Sequence, residues 1–358
     1  MAPCEQNIRQ ILDGKQRGLF PFLLVALLWL PSVVYLLVMR LRALCYRVGF
    51  FRSCRLNRPV ISVGNITVGG TGKTPTVALL ARLLMERGKR VCVLSRGYGG
   101  TLEGESHIVS DGKELLCTAA EAGDEPVLLA TLVPGLMVVI GSDRYRAGEL
   151  ALARLNPDLF ILDDGFQHLR LTRDLNILLL DCQRPFGNGL TLPAGSLREP
   201  RSALSRADLV IFTRCQGEVT PPCSSRAPAL HARHLLTGLS TLGSSELLPF
   251  TALAGQRGLA FAGIADPASF ATALAAQGVE LAGVLPLPDH VKYDDAVIKS
   301  LLGEQKRCGA DFLITTEKDL VKLRPHSQQL PQLYAARLEL ELLHKGLLIG
   351  ALEKLLSN

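Results

Sequence analysis

Acidic residues are missing between Asp13 and Glu86, and within that span no charged residue of either sign stands between Leu19 and Met39. An uncharged run of that length cannot be a solvated surface helix, which needs a polar face. Aromatic residues make up only 5% of the chain, with a single tryptophan. No aromatic series is interleaved with the basic residues, so a nucleic-acid surface built on base stacking is not expected. The nine cysteines are odd in number and contain no C-x-x-C pair, which argues against a disulfide framework and against structural zinc. Internal repeats and low-complexity tracts are absent as well.

The uncharged run itself, LFPFLLVALLWLPSVVYLLVM, would span roughly 30 Å as a helix, the thickness of a hydrocarbon core. Pro31 lies within it, and membrane helices tolerate proline. The run is too long for a signal peptide and no small-residue cleavage site follows it. Lys15 and Arg17 precede it, whereas Arg40, Arg42, Arg47, Arg52, Arg55 and Arg58 follow, so the positive-inside rule places the bulk of the chain in the cytoplasm. The formal net charge of +6 is thereby gathered beside the membrane, where arginines attract anionic lipid.

From Pro59 onward short apolar runs alternate with helical stretches: Val60 to Val63, Val91 to Leu94, Met137 to Ile140, Leu159 to Leu162, Asn176 to Leu180 and Leu209 to Phe212. That alternation predicts a parallel sheet with crossover helices. A stretch rich in Pro, Ser and Cys runs from Cys215 to about Pro228 and reads as a loop or hinge. A second α/β series follows, with apolar runs at Leu259 to Ala262, Leu281 to Leu285 and Phe312 to Ile314 and a closing amphipathic helix from about Gly346 to Leu356.

Asn65-Ile-Thr-Val-Gly-Gly-Thr-Gly-Lys73-Thr74 follows the first apolar run and opens a helix-like stretch. This is the context of a phosphate-binding loop: the backbone from Thr67 and Val68 through Gly69, Gly70, Thr71 and Gly72 cradles phosphates, Lys73 reaches the β and γ oxygens, and Thr74 serves Mg²⁺. The pattern asks for glycine at position 67, where this chain has threonine. Val68 replaces the lysine that a partitioning ATPase carries before its paired glycines, and no guanine-binding N-K-x-D is present. Both absences lower the switch-ATPase and GTPase readings. Leu159-Phe-Ile-Leu-Asp163-Asp164 has the form of a strand ending in Mg²⁺-serving acids. The fold expected is therefore α/β, a P-loop NTPase-like parallel sheet with a second, smaller α/β lobe and one N-terminal membrane helix. Its parts are an anchor and basic segment at 1–55, a P-loop core at 56–215, a hinge at 216–257 and a C-terminal lobe at 258–358.

NITVGGTGKTP from Asn65, RGYG from Arg96, GDEP from Gly123, SDR from Ser142, DDGFQH from Asp163, PAGSLREP from Pro193 and TTEKD from Thr315 occur in series. In that order they resemble the motifs of the tetraacyldisaccharide 4′-kinase family, the lipid A 4′-kinases of Gram-negative bacteria. The resemblance implies transfer of the γ-phosphate of ATP, with Mg²⁺, to the 4′-hydroxyl of an acylated glucosamine disaccharide at the cytoplasmic face of the inner membrane. It implies a glycolipid and a membrane as partners; no nucleic acid is expected from the composition. Spacing alone does not separate the roles of Asp124, Glu125, Asp163 and Asp164. By resemblance Asp124 is the acid nearest the acceptor hydroxyl, and Glu125 organises Mg²⁺ with Thr74 and Asp163. His290, in Pro288-Asp289-His290, would approach Asp124 as a catalytic partner. His168 either bonds a phosphate, fixes the acids or is a buried structural histidine. Arg96, Tyr98, Arg144, Arg198 and Glu199 are candidate substrate or nucleotide contacts, arginine being suited to a bidentate grip on anions.

Overall fold

The computed structural model describes Ile11, Gln16, residues 18–215, Cys223, and residues 226–242, 246–264, 266–288 and 291–357. Helix α1 (Leu19–Arg47) takes in the whole uncharged run and continues through the first arginines. There follow β1 (Val60–Asn65), α2 (Lys73–Met85), β2 (Val91–Ser95), β3 (His107–Asp111), α3 (Ala119–Ala122), α4 (Asp124–Leu132), β4 (Met137–Ile140), α5 (Arg144–Arg154), β5 (Leu159–Asp163), β6 (Leu175–Asp181) and β7 (Leu209–Thr213). The second half comprises β8 (Ala229–Thr241), β9 (Arg257–Ala262), α6 (Pro267–Ala276), β10 (Glu280–Pro286), α7 (Asp295–Cys308), β11 (Phe312–Thr316), α8 (Glu317–Leu323), β12 (Leu333–Leu342) and α9 (Gly346–Ser357).

Every residue of β1, β2, β4, β5 and β7 is buried, which is why these strands read as unbroken apolar runs: helices cover both faces of the sheet. One face packs on α2 and α4 through Val77, Leu80, Leu84 and Leu129, the other on α5 through Ala147 and Ala151. The strands form one sheet in the order β10-β9-β11-β12-β8-β7-β6-β1-β5-β2-β4-β3. It is parallel apart from β3 on β4 and β12 on β8.

Two features depart from the expected organisation. Part of the 216–257 segment, read as a hinge, is the 13-residue strand β8. Its start pairs with β7 and its remainder with β12, so it stitches the two halves into one sheet. Its sequence, ALHARHLLTGLST, has no clean alternation and carries a glycine, so it lacks the usual strand signature. Helix α9, expected within the second lobe, returns to the first, where Leu348 and Leu352 are buried in the same core as α2.

Helix α1 lies against the body along one side. Ser32 is buried and hydrogen-bonded to Thr191, its hydroxyl 2.8 Å from the Thr191 carbonyl. Thr191 Oγ1 donates back to the Ser32 carbonyl at 3.0 Å. Tyr35 Oη donates to the Arg198 carbonyl at 2.9 Å, and Arg42 Nη2 to the Gln167 carbonyl at 3.0 Å. Helical periodicity brings these positions to one face. The opposite face is apolar and open, with Leu27 75%, Leu30 66% and Trp29 54% exposed.

Candidate active site

The C-terminal ends of β1, β2 and β5 converge, the position where open α/β sheets bind ligands. From β1 the chain enters the loop, with Gly69 at φ 121° and Gly72 at φ 80°. A Cβ on Gly72 would fall 2.5 Å from His234 Nε2, so only glycine fits there. Asn65 Nδ2 donates to the Gly69 carbonyl at 3.3 Å, Arg214 Nη2 to that of Gly70 at 2.5 Å, and Thr213 Oγ1 to that of Thr71 at 3.0 Å. With these three carbonyls engaged by neighbouring side chains, the loop's N–H groups are left to face an anion at the start of α2, whose N-cap Gly72 offers no side-chain cap. The threonine at 67 also has its explanation. Thr67 bridges Leu197 and the Val68 N–H donates to the Ser196 carbonyl at 2.7 Å, so this end of the loop is extended backbone that needs no glycine.

Asp163 and Asp164 end β5 beside the loop. Asp163 is buried and accepts from Ser95 Oγ at 3.1 Å through Oδ2, while Oδ1 has no partner among the described residues. Burial, then Glu125 and Asp164, push its carboxyl above the usual range against the pull of Lys73. Asp164 adopts φ 52°, an uncommon left-handed conformation for a residue other than glycine. That turn aims its carboxylate at two cations, Lys73 Nζ at 3.7 Å and Arg198 Nη1 at 2.8 Å. Burial opposes ionisation, yet Lys73 and Arg198 outweigh it and hold Asp164 below the usual carboxylate range. Lys73, Asp164 and Arg198 thus form one chain of charge linking the phosphate loop to the Pro193–Pro200 segment.

Arg144 opens α5, buried, its Nη1 donating to the Gly141 carbonyl at 2.9 Å. Burial lowers its pKa to about 10, offset in part by Asp163. His168 is held neutral, its pKa brought down to about 4 by burial and then by Arg144, and its Nε2 has no partner among the described residues. Glu199 is buried and paired with Arg206 at 2.7 Å. Arg96 meets Glu103 at 3.1 Å, and Tyr98 is 61% exposed. Asp124 and Glu125 open α4, and Lys318 reaches both from α8, 3.7 Å from Asp124 Oδ2 and 3.6 Å from Glu125 Oε1. His290 lies outside the described residues.

Sequence reasoning assigned no role to Ser95, Thr213, Arg214 or Lys318. Ser95 directly precedes RGYG and Lys318 lies inside TTEKD, so their motifs were visible without their partners. Arg214 follows an ordinary apolar strand and carried no signal.

The residues present fit a Mg²⁺-bound nucleoside triphosphate: a glycine loop with positive φ at Gly69 and Gly72, a lysine at its end and a buried oxygen on Asp163 that has no partner among the described residues. Among the described residues no three His, Cys, Asp or Glu side chains are gathered to hold a metal alone. A Mg²⁺ ion takes one or two carboxylates and completes its shell with phosphates and water.

The family model described as tetraacyldisaccharide-1-P 4′-kinase (LpxK) matches residues 24–357. The tetraacyldisaccharide 4′-kinase of Geobacter metallireducens is 60% identical over 334 residues, covering 93% of this chain and 99% of that protein. That of Geobacter sulfurreducens is 56% identical over 353 residues, covering 99% of each. A crystal structure of LpxK from Aquifex aeolicus in complex with ATP superposes with a TM-score of 0.80 at 36% identity, covering 93% of this chain and 99% of that one. With matches of this extent to sequence and fold alike, the chain belongs to the tetraacyldisaccharide 4′-kinase family.

Proposed function

We propose that the protein transfers the γ-phosphate of ATP to the 4′-hydroxyl of a tetraacyl glucosamine disaccharide 1-phosphate, a step of lipid A biosynthesis. The observation that carries this reading is a juxtaposition. The segment that supplies Arg198 to Asp164 and pairs with the phosphate loop at Thr67 is also hydrogen-bonded to α1, the apolar helix, through Thr191 and the Arg198 carbonyl. A phosphate loop beside a lipid-facing helix suits an acceptor whose acyl chains stay in the leaflet.

Mg²⁺ bound with ATP would supply positive charge against the charge developing on the transferred group. The residues that would hold it are Thr74, Glu125 and Asp163, with Asp164 kept ionised nearby. Lys73 supplies positive charge to the β and γ phosphates, and Arg198 holds Asp164 in place from the far side. Asp124 lies nearest the acceptor hydroxyl and accepts its proton, with His290 as partner. Arg144 sets positive charge near Asp163 and Asp164, with the neutral His168 close to it. Glu199, occupied by Arg206, serves to shape the loop after Arg198, while Arg96 and Tyr98 stand at the rim for the nucleotide or acceptor.

We place the protein at the bacterial inner membrane with its catalytic body on the cytoplasmic face. Helix α1 is long and apolar enough to cross a bilayer, but Ser32, Tyr35 and Arg42 fasten its side to the body. Its open face, carrying Leu27, Trp29 and Leu30, is the surface that meets lipid.

The test uses purified full-length protein in detergent, γ-labelled ATP and the disaccharide lipid, resolved by thin-layer chromatography. Label should appear in the lipid. Label released only as inorganic phosphate would indicate a membrane-tethered ATPase, and no ATP binding at all would indicate a scaffold.

A further inference from the structure

The Thr315–Asp319 stretch has entered the site so far only through Lys318, yet nearly every side chain in it has a partner that fixes α8. Thr316 caps the helix by accepting from the Asp319 N–H at 3.2 Å. Glu317 is buried and receives Ser240 Oγ and Arg337 Nε, both at 2.8 Å. Asp319, fully buried, accepts from the Gly263 N–H at 3.0 Å and from Thr316 Oγ1 at 2.8 Å. These bonds tie α8 to β8, β9 and β12 of the second lobe. Lys318, between two anchored acids, projects out of that lobe onto the first residues of α4.

There its ammonium stands 3.7 Å from Asp124 Oδ2 and 3.6 Å from Glu125 Oε1. The other Asp124 oxygen accepts from the Glu125 N–H at 3.0 Å. One oxygen is therefore held by its own helix and the other by the opposite lobe. Lys322, one turn on, is 3.9 Å from Asp124 but 2.9 Å from Asp319 and lies over the Tyr293 ring. Its main engagement is inside its own lobe.

We propose that Lys318 is a positioning residue for phosphoryl transfer, reaching across from the second lobe to hold Asp124 and Glu125 in their working rotamers. The proposal rests on the reading of Asp124 as the acid nearest the acceptor. Orientation of this kind is worth a large factor, since a misplacement of about 1 Å can cost on the order of 10²-fold in rate. It also gives the second lobe a part in the chemistry, because an acid pinned from outside its own lobe is correctly placed only when the lobes are together.

Steady-state kinetics of the full chain test it, alongside calorimetric ATP binding and the melting temperature. Lys318→Met keeps the length and removes the charge; it should lower kcat by about 10-fold or more while KM for ATP, ATP affinity and melting temperature stay unchanged. Lys318→Arg should recover most of the loss. Lys322→Met should instead lower the melting temperature more than kcat. If Lys318→Met stays within about 3-fold of wild type while Asp124→Asn is inactive, the inference fails and the reading of Asp124 stands. A Lys318→Met protein that loses ATP affinity and stability in step with kcat would also overturn it, marking the contact as lobe packing alone. An active Asp124→Asn enzyme would overturn the reading beneath it.

Discussion

Asp163 and Asp164 are neighbours in sequence with opposite electrostatic surroundings. The first is raised by burial and by adjacent carboxylates, the second lowered by Lys73 and Arg198 despite its burial. Lys73→Ala should therefore remove most activity and leave folding intact, because Lys73 contributes charge and little packing. Near wild-type turnover in that variant, measured with the lipid acceptor, would contradict the phosphate-loop assignment. General-base assistance is typically worth about 10²–10⁴-fold, so Asp124→Asn and His290→Ala should each lower kcat by that order with little change in KM for ATP. Their double variant should be no worse than the less active single, and multiplicative losses would show that the two do not act as one unit. His234, pressed on Gly72, is held neutral, its pKa lowered to about 4 by burial and then by Arg214. An unfolded histidine takes its proton near pH 6.5. The stability His234 contributes is thus complete above about pH 6.5 and is lost as pH falls toward about 4. Melting temperatures measured at about pH 7.5 and about pH 5 should differ less in His234→Gln than in the wild type, and an equal difference would show that His234 is not the group titrating.

Among the elements, α1 was the most legible and the least fully understood from sequence. Its uncharged run announced a long apolar helix, but nothing in LFPFLLVALLWLPSVVYLLVM says that Ser32 and Tyr35 bond to the loop beside the phosphate site. A polar side chain in an apolar helix is a signal of a partner; the partner's identity needs the fold. Deleting residues up to Arg40 should leave a protein that binds ATP and partitions less to vesicles. Arginines remaining near an anionic surface contribute about 1 kcal/mol each. Arg55 is already paired with Asp174 at 2.7 Å and Arg58 with the Pro157 carbonyl at 3.1 Å, so the residual association should be weaker than a count of arginines implies. Co-sedimentation with anionic vesicles at low and high salt measures it, and complete solubility at low salt would show that the basic stretch does not touch lipid. Tyr35→Phe separates anchoring from coupling: vesicle binding should be unchanged while kcat toward the lipid falls. Equal kcat would show that the helix only tethers.

For the whole molecule, the parallel core was readable because strands buried on both faces appear as bare apolar runs, and six such runs became β1, β2, β4, β5, β6 and β7. The edge strand β3 and the long β8 and β12 were not, since half-buried or irregular strands mix polar and apolar positions. The site followed the same division. Residues held by local motif, such as Lys73 and Asp163, were named from sequence, whereas Lys318 and Arg214 act through contacts made across the fold. Lys73, Asp164 and Arg198 join the glycine loop and the acids to the segment that is hydrogen-bonded to α1. Locating the phosphate that the protein adds tests the proposed reaction most directly. After incubation with ATP, Mg²⁺ and the disaccharide 1-phosphate lipid, a phosphorus–proton NMR correlation should show a new phosphomonoester on C4′ of the distal glucosamine, absent with Lys73→Ala. Phosphate on any other hydroxyl, or ATP consumed with no new lipid phosphate, would contradict the account.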